Sequence, residues 1–175
     1  PEIIYRTIRN TLENLARIIQ NFGGCVDRYY GDGFLATFGV PEAHEDDHFR
    51  ALKSAIEMQA SMRELGEKAR ISLNWDMQLR IGITIGPVIR GQLDTGYLQD
   101  SSIFGHTVNL ASRLQAAARP ETILVDESVY LKTSTKFRFN NPVELRLKGI
   151  EKPIFAYELL EQIDDHKPNS GRTGQ

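Results

Sequence analysis

Two β-type runs, residues 25–30 and 33–38, are rich in Val, Tyr, Phe and Leu and are separated only by Gly31 and Asp32. Two residues cannot carry a chain across a sheet, so the runs are predicted to pair antiparallel as a hairpin. Upstream, Ile4, Ile8, Leu12, Leu15, Ile18 and Ile19 recur at helical spacing over residues 2–22, and Gly23-Gly24 ends the pattern. Downstream, Pro41 closes the second run and the acidic stretch 42–47 suits a helix start. Leu52, Ala55, Met58, Met62 and Leu65 then mark one face of a helix from about His44 to Lys68.

Beyond that helix the pattern alternates. Residues 78–86, "QLRIGITIG", read as a strand that turns at Gly86-Pro87, and residues 91–102, "GQLDTGYLQDSS", read as a loop. A helix is predicted over residues 106–118, then a strand at "TILV", a short helix, and strands around "VELRLKG" and "FAYELL". The polar end, residues 161–175, is expected to be a disordered tail, which leaves residues 1–160 as one domain. Helices alternating with strands, one tight hairpin among them, predict a layered α+β sandwich.

Composition narrows the function classes. The net charge of −2 carries no excess of basic residues, so nucleic acid is excluded as an expected partner. No apolar stretch approaches ~18 residues, and the N-terminus lacks a signal-peptide pattern. Cys25 is the single cysteine, so no internal disulfide forms, a reducing compartment fits, and a cytoplasmic location is expected. Set in an apolar run, Cys25 itself is expected to pack in the core.

Four features could carry chemistry. Asp32 suits a tight turn, which is its plain reading, yet a carboxylate between two glycines also suits Mg²⁺ shared with approaching phosphates. In the helix 106–118, Asn109 and Arg113 share a face with the small residues Ser112 and Ala116, while Val108, Ala111, Leu114 and Ala118 face elsewhere. That polar face is either solvated or has room for a ligand. Arg80, inside an apolar strand, either meets a partner such as phosphate or reaches solvent. Arg146 and Lys148 lie one strand period apart and point to the same side.

Together, "GGCVDRYYGDGFLATFGVP", "LRIGITIG" and "FGHTVNLASRLQ" resemble the class III nucleotidyl cyclase catalytic domain, the adenylate/guanylate cyclase family, over residues 2 to about 160. The resemblance implies a ferredoxin-like α+β fold, with a central, mostly antiparallel sheet and flanking helices. It also implies a head-to-tail homodimer with active sites at the interface. Matched position by position, it implies that Asp32 is one of two metal-binding aspartates and that Arg80 contacts the triphosphate. Asn109 then positions the ribose and Arg113 stabilises the transition state. Arg146 falls where the family usually has a lysine for the terminal phosphates, and an arginine offers a bidentate donor there. The implied reaction is in-line attack of the ribose 3′-oxygen on the α-phosphorus with loss of pyrophosphate, assisted by two Mg²⁺ or Mn²⁺ ions.

Two features depart from the family pattern. The first metal aspartate belongs to a strand ahead of the opening helix, and that strand is not in this sequence. The sequence is therefore expected to be part of a longer chain, fused to or regulated by an upstream sensor domain, with a membrane tether left open. The base-selecting positions hold Arg28 and Ser102, where adenylyl enzymes typically have Lys and Asp or Thr, and guanylyl enzymes Glu and Cys. Arg28 only donates and suits the N1 acceptor of adenine, while Ser102 can accept from its amino group. ATP is the expected substrate and cyclic AMP the product; a guanylate cyclase and a catalytically impaired regulatory or dimerisation module are the alternatives. His106, before "TVN", is read as a neighbour of the helix cap.

Overall fold

The computed structural model describes the backbone of residues 2–94 and 99–164, and their side chains apart from those of 92–94 and 99–102. Helix α1 (Glu2–Asn21) leads into the hairpin of β1 (Cys25–Tyr30) and β2 (Gly33–Thr37), followed by the long helix α2 (Asp47–Leu73). Then come β3 (Ile81–Ile83), β4 (Ile89–Asp94), β5 (Gln99–Phe104), α3 (His106–Ala117), β6 (Ile123–Asp126) and α4 (Glu127–Thr133). The order closes with β7 (Phe137–Phe139), β8 (Val143–Leu145) and β9 (Ile154–Gln162).

The expected α+β sandwich is present. Its main sheet has the order β3-β6-β9-β7, with β8 also pairing β9. Only the β3–β6 pair in that sheet is parallel; β9 runs antiparallel to β6, β7 and β8. The β1–β2 and β4–β5 hairpins form separate two-stranded sheets. In the larger of two buried clusters among the described residues, Leu15, Ile18 and Ile19 of α1 and Leu52, Ala55 and Met58 of α2 bury against Ile123, Val125, Phe137, Tyr157 and Leu159. Val26, Phe34 and Ala36 of the β1–β2 hairpin pack on them, and Leu114, Ala118, Leu124 and Ala156 form the smaller cluster. The apolar faces legible in the two long helices are thus the faces that bury, although Ile4, in the first turn of α1, stays 48% exposed.

Helix α2 starts later and ends later than its sequence pattern suggests. Its first turn is organised by Arg50, which donates to the Asp46 and Asp47 carboxylates at 3.0 and 2.9 Å. At the other end Asn74, at φ 50°, takes the left-handed cap conformation that short polar side chains tolerate.

Strand β3 is shorter than expected because its ladder with β6 runs only over Ile81–Ile83. Beyond, side chains replace the ladder: Thr84 Oγ1 donates to Asp126 Oδ2 at 2.9 Å, and Ser128 Oγ to the Ile85 carbonyl.

Two expectations are corrected. The stretch read as a loop forms β4 and β5, paired from Ile89 with Phe104 to Asp94 with Gln99. Its Gly, Gln, Asp and Ser residues have low strand propensity, and the pairing itself overrides them. Cys25 is exposed rather than in the core, because the alternation of β1 turns the next residue, Val26, toward the core instead. Strand β7, three residues long, is too short to show a periodicity in the sequence, although its Phe137 is 1% exposed. Strand β9 runs to Gln162, and most of the expected tail lies outside the described residues. No helix among the described residues is long and apolar enough to cross a membrane.

Candidate active site

Asp32 sits exposed at the tip of the β1–β2 hairpin. Gly31 beside it has φ 44°, a left-handed conformation that favours glycine, and open space where a side chain would project. Tyr29 and Tyr30 flank the tip and are more than half exposed.

Four residues back along β1, the ladder is interrupted. Its register shifts between Val26 and Arg28, so Asp27 is the extra residue of a β-bulge. Arg28 is held there from three directions. Its Nε donates to Asp27 Oδ2 at 2.8 Å, its Nη2 donates to the Ile103 carbonyl at 2.5 Å, and its guanidinium lies 5.3 Å from the Phe104 ring centre. Asp27 Oδ1 accepts from the Ile103 amide at 3.2 Å. The β1 hairpin is thereby fastened to the end of β5. Ser102 precedes Ile103 in β5, and its side chain lies outside those described.

From β5 the chain enters α3 through Gly105. Leu114 and Ala118 bury on one side of this segment, whereas Asn109, Ser112, Arg113 and Ala116 are exposed on the other. The split follows from spacing: the apolar residues recur every three to four positions and take the sheet side. His106 is exposed, begins α3 and follows the Gly105 cap, as expected of a cap neighbour. Two contacts fix the helix. Thr107 Oγ1 donates to the Pro87 carbonyl at 2.6 Å, and Gly82 of β3 lets the backbone of Ala111 and Gln115 lie directly on the strand. Thr107 belongs to the quoted motif, yet nothing in the sequence revealed this bond, because its partner is a backbone carbonyl twenty residues away.

Arg80 and Arg146 are both exposed. Arg80 adjoins the paired starts of β3 and β6, where buried Gln59 donates to the Leu79 and Thr122 carbonyls at 3.1 and 3.3 Å. Arg146 follows β8, whose end pairs with Ile154, whereas β6 meets β9 over Ala156–Glu158. Followed through these registers, the two arginines stand at opposite ends of the sheet, separated by roughly 20 Å along the strands at ~3.3 Å per residue and by three strand-to-strand steps of ~4.8 Å across it. Arg28 and the end of β5 are therefore brought together within one chain, and Arg80 and Arg146 are not.

The fold and this arrangement meet in one class. The chain belongs to the family of adenylate and guanylate cyclase catalytic domains, which it matches over residues 1–161. It is similar to the membrane guanylyl cyclase of Dictyostelium discoideum, 27% identical over 171 residues that make 96% of this chain and 11% of the relative. It is equally similar to the adenylate cyclase of Anabaena cylindrica, 27% identical over 168 residues, 91% of this chain and 32% of the relative. The chain thus spans about a tenth to a third of the length of these curated relatives. Among solved structures, the adenylyl cyclase CyaB from P. aeruginosa superposes with a TM-score of 0.88 at 26% identity, covering 94% of this chain and 86% of that one. The chain is a nucleotidyl cyclase catalytic domain, and its relatives include enzymes named for each of the two bases.

Proposed function

We propose that this domain converts ATP to 3′,5′-cyclic AMP and pyrophosphate at sites shared between two copies of the chain. The observation that carries the reading is the exposed Asn109–Arg113 face of α3, which lies directly on β3 through the close approach at Gly82. Asn109 would hydrogen-bond the ribose and fix its 3′-oxygen for attack. As the new bond to the α-phosphorus forms and the bond to the bridging oxygen breaks, charge grows on the phosphoryl oxygens. Arg113 would donate to that charge, which is largest in the transition state. Arg80 and Arg146 would hold the phosphates. Their separation within one chain supports a site to which one copy contributes Arg80 and the other Arg146.

ATP is favoured over GTP by Arg28, which has donors only and suits adenine N1. Asp27, the carboxylate beside it, is turned to Arg28 and the Ile103 amide, and its side chain is only 9% exposed. Ser102 would complete the base pocket. A cytosolic place of action fits the single, exposed thiol of Cys25.

Asp32, exposed between glycines, fits one carboxylate's share of a Mg²⁺ or Mn²⁺ site, the remainder of which phosphate oxygens can supply. An ion held there supplies neutralisation of phosphate charge. A second reading, a catalytically impaired module that dimerises and regulates, is favoured by Arg28, which stands where adenylyl enzymes typically have lysine.

Turnover of ATP with Mn²⁺ by the parent and by Arg113→Ala separates the two. The proposal expects cyclic AMP from the parent and a loss in kcat of about 10²–10³-fold in the variant. Equal product from both would overturn Arg113's role, and no product from the parent would favour the regulatory module.

A further inference from the structure

We infer that Asp27 is a positioning residue for nucleobase recognition, acting through Arg28; the inference rests on the reading above that Arg28 meets the base. In a regular strand, consecutive residues project to opposite faces, so Asp27 and Arg28 could not pair. The bulge between Val26 and Arg28 removes that restriction and brings the carboxylate to the guanidinium. Bulges re-aim single side chains, and here the one re-aimed is next to the base-selecting position.

The contacts form a closed ring. Asp27 accepts from Arg28 Nε and from the Ile103 amide, while Arg28 Nη2 donates back to the Ile103 carbonyl. The Asp27 side chain is 9% exposed, that of Arg28 29%, and Ile103 3%. The inner members of the ring are thus shielded from water, where charge-assisted hydrogen bonds hold their geometry best. Phe104 supplies one flat wall beneath the guanidinium. A free arginine samples many rotamers and must be ordered when a base arrives; this one is already ordered. Asp27 has a further consequence. Its bond to Ile103 ties the base-selecting position to the strand that leads directly into α3, with Asn109 and Arg113.

A carboxamide at position 27 keeps the size but offers one acceptor oxygen instead of two, so one bond of the ring is lost. The test measures affinities of the purified protein for ATP and GTP by displacement of a fluorescent nucleotide, which does not depend on turnover. Asp27→Asn is expected to reduce the preference for one base over the other about tenfold, the worth of a charge-assisted bond. In an Arg28→Gln background the same change is expected to leave the preference where Arg28→Gln set it, because the effect travels through Arg28. If Asp27 only fastened β1 to β5, Asp27→Asn would weaken both nucleotides equally in both backgrounds, and that result overturns the inference. Should Asp27→Asn fail to fold, Asp27→Glu carries the test: it keeps the charge and both acceptor oxygens but moves them by one methylene, and is expected to lower the preference about threefold. An unchanged preference in that variant overturns the inference. A parental preference for GTP overturns the ATP reading alone, and the inference then stands or falls on whether Asp27→Asn moves that preference. A parent that binds neither nucleotide, or both equally, overturns both.

Discussion

Gly82→Ala is the substitution that most directly links the fold to the site. A methyl group at Gly82 lies 2.9 Å from the Gln115 Cα, and closer still to the Gln115 amide nitrogen and the Ala111 carbonyl oxygen. All three are backbone atoms of α3, so no side-chain rotation relieves the clash. Ordinary contact begins near 3.4 Å; restoring it at the nearer atoms moves the helix off β3 by about 1 Å. Overpacking against backbone costs about 3 kcal/mol, the upper part of the range for added methylenes. Because α3 carries Asn109 and Arg113, a displacement of about 1 Å also predicts a loss of kcat near 10²-fold in whatever protein remains folded. Urea unfolding followed by circular dichroism reads the first effect, and cyclic nucleotide formation at a temperature where the variant is folded reads the second. Parental stability together with parental turnover would refute the claim that close approach at Gly82 sets the position of the site helix.

Phe137→Ala empties a 1% exposed position whose ring stacks on Phe49 at 6.2 Å between centres; unfolding free energy should drop by about 3–5 kcal/mol in urea titration. Asp32→Asn, at an exposed turn tip, should leave stability within about 0.5 kcal/mol while removing most divalent-ion-dependent turnover, measured across a Mn²⁺ titration. Burial first, then the nearby Glu127 carboxylate and Tyr130, hold the Tyr157 phenol above its ordinary value of 10.0. The fold thus favours the neutral phenol: this contribution is complete below the ordinary value and is lost as pH rises through the raised one. The urea midpoint should therefore fall between about pH 9 and pH 11, and fall less in Tyr157→Phe.

How much was legible depends on whether the information was local. The two-residue Gly31-Asp32 turn and the two faces of α3 are written in spacing, and the structure follows both. The β4–β5 hairpin is not, because Gln92, Asp94, Asp100 and Ser101 pair only by virtue of the strand opposite. The ring around Arg28 was hidden for a different reason. Asp27 and Arg28 are neighbours that alternation would send apart, and only the bulge, a relation between β1 and β2, unites them. Cys25 shows the same limit in reverse: an apolar context suggested burial, and a single step of strand alternation decided otherwise. The distance between Arg80 and Arg146 likewise becomes visible only through three strand registers.

The central claim, that this domain cyclises ATP, is tested most directly by incubating the protein with Mn²⁺ and either ATP or GTP, then separating the products chromatographically. The account predicts 3′,5′-cyclic AMP and pyrophosphate in equal amounts from ATP, and far less cyclic GMP from GTP. Cyclic GMP as the main product would contradict the base assignment, and the absence of any cyclic product would contradict the activity itself.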